Sequence, residues 1–401
     1  MGKTIWIINQ YASNNGNRHA DLSEAFAIRG YNVVVFLSSY QRGTNSYLYN
    51  SSLYIQDVKG VSYAYLHSGP RHKGNGPKRV LNMLDFCWKF LNFYKKIASE
   101  KGKPDYIIAS SVHPFVWEVG YIASKKFKSK FIAEIRDLWP LSLIEVQHIS
   151  PTHPAVKLFA LIEKRAYMRA DAIVTTMPFA YKYITSKFNI NKDRIHWLPN
   201  GINIKKLEST HLSTTTLPTD LNSFLENNWC AVYAGSFVDS ECVDFIVKSF
   251  SKITNKKICL ALIGEGHSKA LVEGFIKDMH LENIKTFPAV SKQQVQKALS
   301  MAKCCVAAVH HYPLYEYGLS MNKLNDYLYS NNPVVFACDY DNVVREAHHI
   351  VVPSEDKSAF AKAIENVYEG KVDCHDGRTI IKKIYDYDVI ADKYLQLLNS
   401  I

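Results

Sequence analysis

The residues best suited to chemistry lie in the segment 317–337, YGLSMNKLNDYLYSNNPVVFA. A glycine turn at Gly318 opens a helical pattern through Ser320 and Asn322, on which Lys323 and Asp326 fall three residues apart and share one face. A helix start with a nearby lysine can hold a diphosphate, and a carboxylate one turn deeper can accept bonds from ribose hydroxyls. The plainer alternative is a surface ion pair. It is less attractive because Asn331-Asn332-Pro333 leads straight into an apolar strand, which sets the helix against a sheet. Two further strand-to-glycine turns, YAGSF with Gly235 and Ser236 and LIGEG with Gly264, are of the phosphate-cradling type. In the first half, Gly16 and Asn17 begin a helix after the first strand, where backbone amides favour a phosphate or a sugar hydroxyl. This turn lacks the GxGxxG of a dinucleotide site, and an ordinary βα turn fits it equally. The segment EIRDLWP (134–140) puts Arg136 and Asp137 at a strand end, and SSVHPF (110–115) puts His113 at another. A lone histidine is more often structural, but His113 and Asp137 are expected on neighbouring strand tips.

The elements that must position these residues alternate. Apolar runs at 4–9, 32–37, 106–110, 130–134 and 172–176 are separated by helical patterns, including 20–29 and 80–100. The second half restarts with strands at 230–234, 258–263, 284–287, 304–309 and 334–338, again with helices between. Strand–helix alternation predicts βαβ units and parallel sheets, and such sheets bind ligands beyond the carboxyl ends of their strands. A polar stretch at 208–220 marks the domain boundary. We therefore divide the chain into 1–203, 204–377 and a terminal helix, 378–401. At 401 residues two cores are expected. The composition, 47% hydrophobic and 21% charged, excludes a disordered chain.

Eight cysteines without a CxxC pair read as reduced, buried thiols. No apolar run is long enough to span a bilayer. Residues 1–203 carry 27 Lys and Arg against 13 Asp and Glu, so all of the net charge of +11 resides in the first half. That asymmetry points to a polyanion, nucleic acid or an anionic membrane, or to a solvated basic surface. Asp339-Tyr340-Asp341, Asp386-Tyr387-Asp388 and the pairs His310-His311 and His348-His349 are poor metal ligand sets by position, and no metal is expected.

Taken together, NQYA…GNRH, EIRDLWP, LPNGI, YAGS, LIGEG and NKLNDYL…NNPVVFA resemble glycosyltransferase family 4, the retaining GT-B pattern. The likeness is nearest to the branch that adds N-acetylated sugars in bacterial O-antigen and capsule assembly. It implies an α/β fold of two Rossmann-like domains with parallel sheets facing an interdomain cleft. It also implies that the second domain holds a nucleotide diphosphate sugar, here a UDP-sugar, with no cofactor. By this resemblance Gly16 and Asn17 approach the diphosphate-sugar, Asp326 meets the ribose, and Lys323 falls on the N-K-L-x-[DE]-Y pattern. The final helix is expected to cross back onto the first domain. Transfer would proceed with retention, the departing diphosphate itself taking the acceptor proton. Two departures stand out. Gly318 replaces the glutamate that many members carry eight residues before the ribose-binding acid, and Ser236 and Glu241 replace an arginine and a lysine. The E-x7-E at Glu265 and Glu273 lies in a different loop and is read as chance. Diphosphate charge then falls to Lys323, backbone amides, and Arg18 or Arg136.

The acceptor expected is a polyprenyl-diphosphate-linked saccharide at the inner leaflet, approached by a cytoplasmic, peripheral protein. Arg71, Lys73, Lys78 and Arg79, then Lys89, Lys95 and Lys96, are the residues expected to meet the anionic surface and acceptor. Nucleic acid is not expected, since no reading motif is present. A non-catalytic sugar-nucleotide binder and a sugar-nucleotide epimerase of the same fold remain as alternatives.

Overall fold

The computed structural model describes residues 2–74, 76–209, 212 and 214–401. Parts of the loop at 71–79 and of the boundary stretch at 208–220 therefore lie outside the described residues. The chain forms two compact units, Met1–Asn200 with Tyr387–Ile401, and Gly201–Asp386.

In the first unit the strands are β1 (Thr4–Ile8), β2 (Asn32–Ser38), β3 (Tyr40–Gln41), β4 (Ser46–Tyr47), β5 (Leu53–Val58), β6 (Val61–Leu66), β7 (Tyr106–Ser110), β8 (Lys130–Ile135), β9 (Ala172–Thr175) and β10 (Ile195–Trp197). Eight of them make one sheet in the order β10-β9-β8-β7-β1-β2-β6-β5. All its pairings are parallel except β5 on β6, an antiparallel edge hairpin, and β3 and β4 form a separate small ribbon. The parallel sheets expected from strand–helix alternation are present, and the β5–β6 edge hairpin is an addition to them. β5 carries Gln56 and Asp57 among its apolar residues and stays half-exposed, as an edge strand with one wet face does. Both sheet faces are covered, so β1 and β2 are apolar along their length. Trp6 and Phe36 look one way, onto Phe90 and Phe127. Ile5, Ile7, Val33 and Val35 look the other way, into a core shared with Phe26 and Tyr394. Tyr394 belongs to the terminal helix Tyr387–Ser400, which packs on helix Arg18–Ile28. Residues 378–386 stay with the second unit, where Ile381–Tyr385 form a π-helical turn.

The second unit holds β11 (Trp229–Ala234), β12 (Ile258–Ile263), β13 (Ile284–Phe287), β14 (Cys304–Ala308), β15 (Val334–Ala337) and β16 (Ile350–Val352), in the parallel order β13-β12-β11-β14-β15-β16. β11 and β12 are buried throughout their apolar runs and carry the glycine turns at their carboxyl ends. Among the described residues no helix is long and apolar enough to cross a membrane, and the eight cysteines are free thiols.

Candidate functional site

The carboxyl ends of β11 and β12 and the start of helix Asn322–Ser330 enclose a cavity of about 680 Å³ within the second unit. Gly235, Ser236, Gly264, Ser320, Asn322, Lys323 and Asp326 all line it. Gly318 does not; it ends the turn Pro313–Tyr317 at φ +104°, a conformation that favours glycine. The glycines at the two turns are required by crowding. A Cβ on Gly264 would sit 1.8 Å from the Gly235 carbonyl oxygen, and one on Gly235 would sit 2.6 Å from Lys323 Nζ. Gly235 thus makes room for the lysine.

Tyr327 anchors the helix that carries Lys323 and Asp326. Its buried hydroxyl accepts from Ala234 N at 2.7 Å and donates to Ala234 O at 3.2 Å, clamping the helix to the end of β11. Lys323, one turn earlier, lies over the Tyr233 ring and donates to the Tyr233 hydroxyl at 2.9 Å and to Glu241 at 2.5 Å. Burial pushes the Lys323 ammonium below its ordinary pKa, against the opposing pull of Glu241. Asp326 accepts from Gln296 Nε2 at 2.8 Å, with Lys292 Nζ at 3.9 Å. Its pKa is raised because burial outweighs those two partners. Met321, at the N-cap, supplies no side-chain cap, and the first amides of the helix add partial positive charge at the cavity wall.

Four contributors to this site were not singled out by sequence. Lys292 and Gln296 come from helix Lys292–Met301, and their i,i+4 spacing was the available signal. Glu241, noted only as a departure, pairs with Lys323. Glu265, read as chance, lines the cavity and pairs with Lys269 at 2.7 Å.

The first-half candidates are arranged otherwise. Glu134, at the end of β8, is fully buried and receives Arg18 at 3.0 Å and His19 at 2.8 Å. Arg18 also donates to the carbonyls of Leu198 and Pro199, and His19 meets Asn9 at 2.7 Å. The segments NQYA, GNRH, EIRD and LPNG are therefore tied into one interior knot. Against the upward push of burial, the Arg18 guanidinium and the contacts from Arg18 and His19 hold Glu134 well below the usual carboxylate range. The suggestion that Arg18 meets a diphosphate is corrected: its guanidinium is buried and engaged inside the fold. Asn17 is likewise occupied, its Oδ1 capping helix Arg18–Ile28 through Ala20 N at 3.0 Å and its Nδ2 donating to Ser13, while Gly16 is exposed at φ +70°.

Arg136 is half-buried and Asp137 exposed beyond β8. His113, beyond neighbouring β7, is fully buried against Phe86 and Phe115, and burial lowers its pKa to about 3. Neither ring nitrogen has a hydrogen-bond partner among the described residues. Ser39, Ser110, Trp139 and Thr176 share that condition, so the carboxyl ends of β2, β7, β8 and β9 each offer a buried, unmatched polar group. Arg79, expected at the membrane with Arg71, Lys73 and Lys78, is half-buried instead. Its charge acts on both His113 and Asp137, so it belongs with the strand tips. Arg71 lies over Tyr47, and Lys73 and Lys78 are exposed.

Asp339 accepts from His311, Asp341 pairs with Arg345, and Asp388 pairs with Arg29. His348, His375 and Asp376 bring three potential ligand atoms within 4.8 Å of one another at the surface. The two imidazoles stack at 5.0 Å with the carboxylate against both, an arrangement that hydrogen bonding accounts for.

Residues 16–206 match the family model Glycosyltransferase Family 4, and residues 230–370 match Glycosyl transferases group 1. An uncharacterized glycosyltransferase of Methanocaldococcus jannaschii is 26% identical over 129 residues, which span 32% of this chain and 31% of that relative's length. Solved structures share the fold across the chain. Sucrose-phosphate synthase of Thermosynechococcus elongatus has a TM-score of 0.75 at 16% identity, covering 99% of this chain and 98% of that one. HepE of Anabaena, in complex with UDP and glucose, has 0.67 at 14% identity, covering 99% of each chain. The UDP-forming trehalose-phosphate synthase of Burkholderia xenovorans has 0.74 at 12%, covering 100% and 99%. A glycosyltransferase family match in each unit, on a two-unit α/β fold shared with GT-B structures, supports a glycosyltransferase family 4-like protein.

Proposed function

We propose that the chain moves a glycosyl group from a nucleotide diphosphate sugar to an acceptor hydroxyl, with the donor's diphosphate and ribose in the cavity of the second unit. The observation that carries this is the placement of Lys323 and Asp326 on one helix face, both lining the cavity beneath two glycine turns. Lys323, the helix start and the turn amides supply positive potential for a leaving diphosphate, and Asp326 accepts from ribose hydroxyls. The nucleotide is UDP, a reading supported by the UDP and UDP-glucose held by HepE. Catalysis is then positioning plus leaving-group stabilisation, with retention, and no general base is needed.

We assign the acceptor side to the strand tips of the first unit, where exposed Asp137 and half-buried Arg136 and Arg79 offer charge-assisted hydrogen bonds to hydroxyls and His113 is buried at the same tips. The acceptor is a lipid-linked or oligosaccharide hydroxyl and the donor sugar an N-acetylated hexosamine or deoxyhexosamine, in cell-surface polysaccharide synthesis at the cytoplasmic membrane face. A thermal-shift series with UDP, other nucleoside diphosphates and their sugars tests the donor site. A ligand at 100 times its Kd stabilises by about 2.7 kcal/mol, and absence of any shift would overturn the assignment.

One observation favours a second reading, a non-catalytic sugar-nucleotide binder: Glu241 already neutralises Lys323. Slow hydrolysis of a bound UDP-sugar separates enzyme from binder, and product formed without acceptor identifies an epimerase.

A further inference from the structure

On the Trp6 face of the first unit, three helices lie side by side: Pro77–Lys101, Phe115–Phe127 and Pro154–Arg169. Tyr94 packs edge-on against Phe127, and Phe115 against Phe159, so the middle helix touches both neighbours. Glu118 on the middle helix also pairs with Arg165 and Arg169 on the third. Of the thirteen large apolar side chains exposed among the described residues, eight are on these three helices. Their spacing is not random. Leu81, Leu84 and Trp88 recur at intervals of three and four along the outer face of the first helix, as do Leu158, Leu161 and Met168, with Arg165 between, along the third. Trp88 is 57% exposed, Leu81 55% and Met168 58%. Exposed apolar side chains scattered singly need no explanation, but a contiguous set does.

The charge around the patch identifies its occupant. The three helices carry twelve Lys and Arg against four Asp and Glu. Of the four acids, Glu163 is buried and Glu118 is paired. Lys78, Lys95 and Lys96 on the first helix and Lys125 and Lys126 on the middle one are exposed. A second copy of the same face would bring like charges together, which opposes self-association. A nucleic acid would match the lysines but not leucines and a tryptophan at the centre. An anionic bilayer matches both: acyl chains for the apolar rows, headgroups for the lysines, and the headgroup boundary for an indole.

We infer that this three-helix face is the chain's docking surface for an anionic lipid bilayer, with Leu81, Leu84 and Trp88 entering the acyl boundary. The inference rests on the proposed membrane-held acceptor and adds the surface and orientation. It also shifts the contact from the loop at 71–79 to the helices that follow.

The test uses the full chain and vesicles of phosphatidylcholine with or without phosphatidylglycerol, with no donor or acceptor present, so it is independent of glycosyl transfer. The expected result is binding to the phosphatidylglycerol vesicles, weakened by salt but not abolished, with a blue-shifted emission that the Trp88→Phe variant lacks. A Leu81→Ser, Leu84→Ser, Trp88→Ser triple variant should bind at least about tenfold more weakly with unchanged thermal unfolding, as should Leu158→Ser, Leu161→Ser, Met168→Ser. Wild-type-like vesicle binding by both triple variants overturns the inference. So does sedimentation velocity showing a dimer, without lipid, that either triple variant dissociates.

Discussion

Two polar clusters at the carboxyl ends of parallel strands look alike in sequence and differ in space. Around Glu134, a carboxylate, a guanidinium and an imidazole are all within 3% of full burial and complete one another's hydrogen bonds. Around Lys323, an ammonium and carboxylates are held just as firmly by Tyr233, Glu241 and Gln296, yet they border an open volume. The first cluster joins segments more than a hundred residues apart; the second is arranged so that a ligand can join it. What separates a structural charge cluster from a binding one is whether its remaining hydrogen-bonding capacity points at protein or at space.

The sharpest way to break the comparison is to remove the centre of the closed cluster. Glu134→Ala leaves Arg18 and His19 buried without their carboxylate, and breaking such a pair costs about 3 to 5 kcal/mol. Chemical denaturation should show that loss, and an intact unfolding midpoint would deny the cluster its structural role. Lys323→Ala should do the reverse. Its removal takes away leaving-group stabilisation worth about 3 to 4 kcal/mol of barrier, lowering turnover by orders of magnitude with unfolding little altered. Turnover equal to wild type would remove Lys323 from the chemistry.

The same contrast explains what the sequence made legible. Strands buried on both faces are apolar runs and could be read directly, as at β1, β11, β12 and β14. The hairpin β5–β6 could not, because β5 is half-exposed and breaks the run with Gln56 and Asp57. Lys323 and Asp326 were legible because a helix puts residues three apart on one face. Their partners were not, since Glu241, Lys292 and Gln296 arrive from separate elements that only the sheet order brings together. Arg18 misled for the same reason: a cation beside a glycine turn looks like an anion site until Glu134 and the Leu198 carbonyl are seen to occupy it.

Smaller effects sharpen the open cluster. Asp326 has a raised pKa, so its ionised form is held at a cost in the fold. Asp326→Asn keeps an oxygen for Gln296 and removes that cost, so calorimetry should show a higher Tm. UDP binding should weaken about tenfold, the worth of a hydrogen bond to a charged group. A rise in Tm without that weakening would place the ribose elsewhere. Glu241→Gln tests the neutralisation of Lys323. Removing the carboxylate leaves the ammonium for the diphosphate, and titration calorimetry should find UDP bound about fivefold tighter, on the order of 1 kcal/mol. Weaker binding would mean that Glu241 positions the lysine and does not compete for it.

The smallest effect concerns His113, which belongs to neither pattern: it is sealed like Glu134 but unmatched like a binding group. Its folded pKa of about 3 lies below the ordinary histidine value of 6.5. Between those values the unfolded chain binds a proton that the folded chain refuses, so stability falls as pH drops below about 6.5. From pH 7 to pH 6 this linkage removes about 0.7 kcal/mol. His113→Gln has no such titration, while buried His19 and His349 stay common to both proteins. Denaturation at the two pH values should therefore show the variant losing about 0.7 kcal/mol less than wild type. Equal losses would mean that His113 gains a proton in the folded state, which requires a neighbouring acceptor.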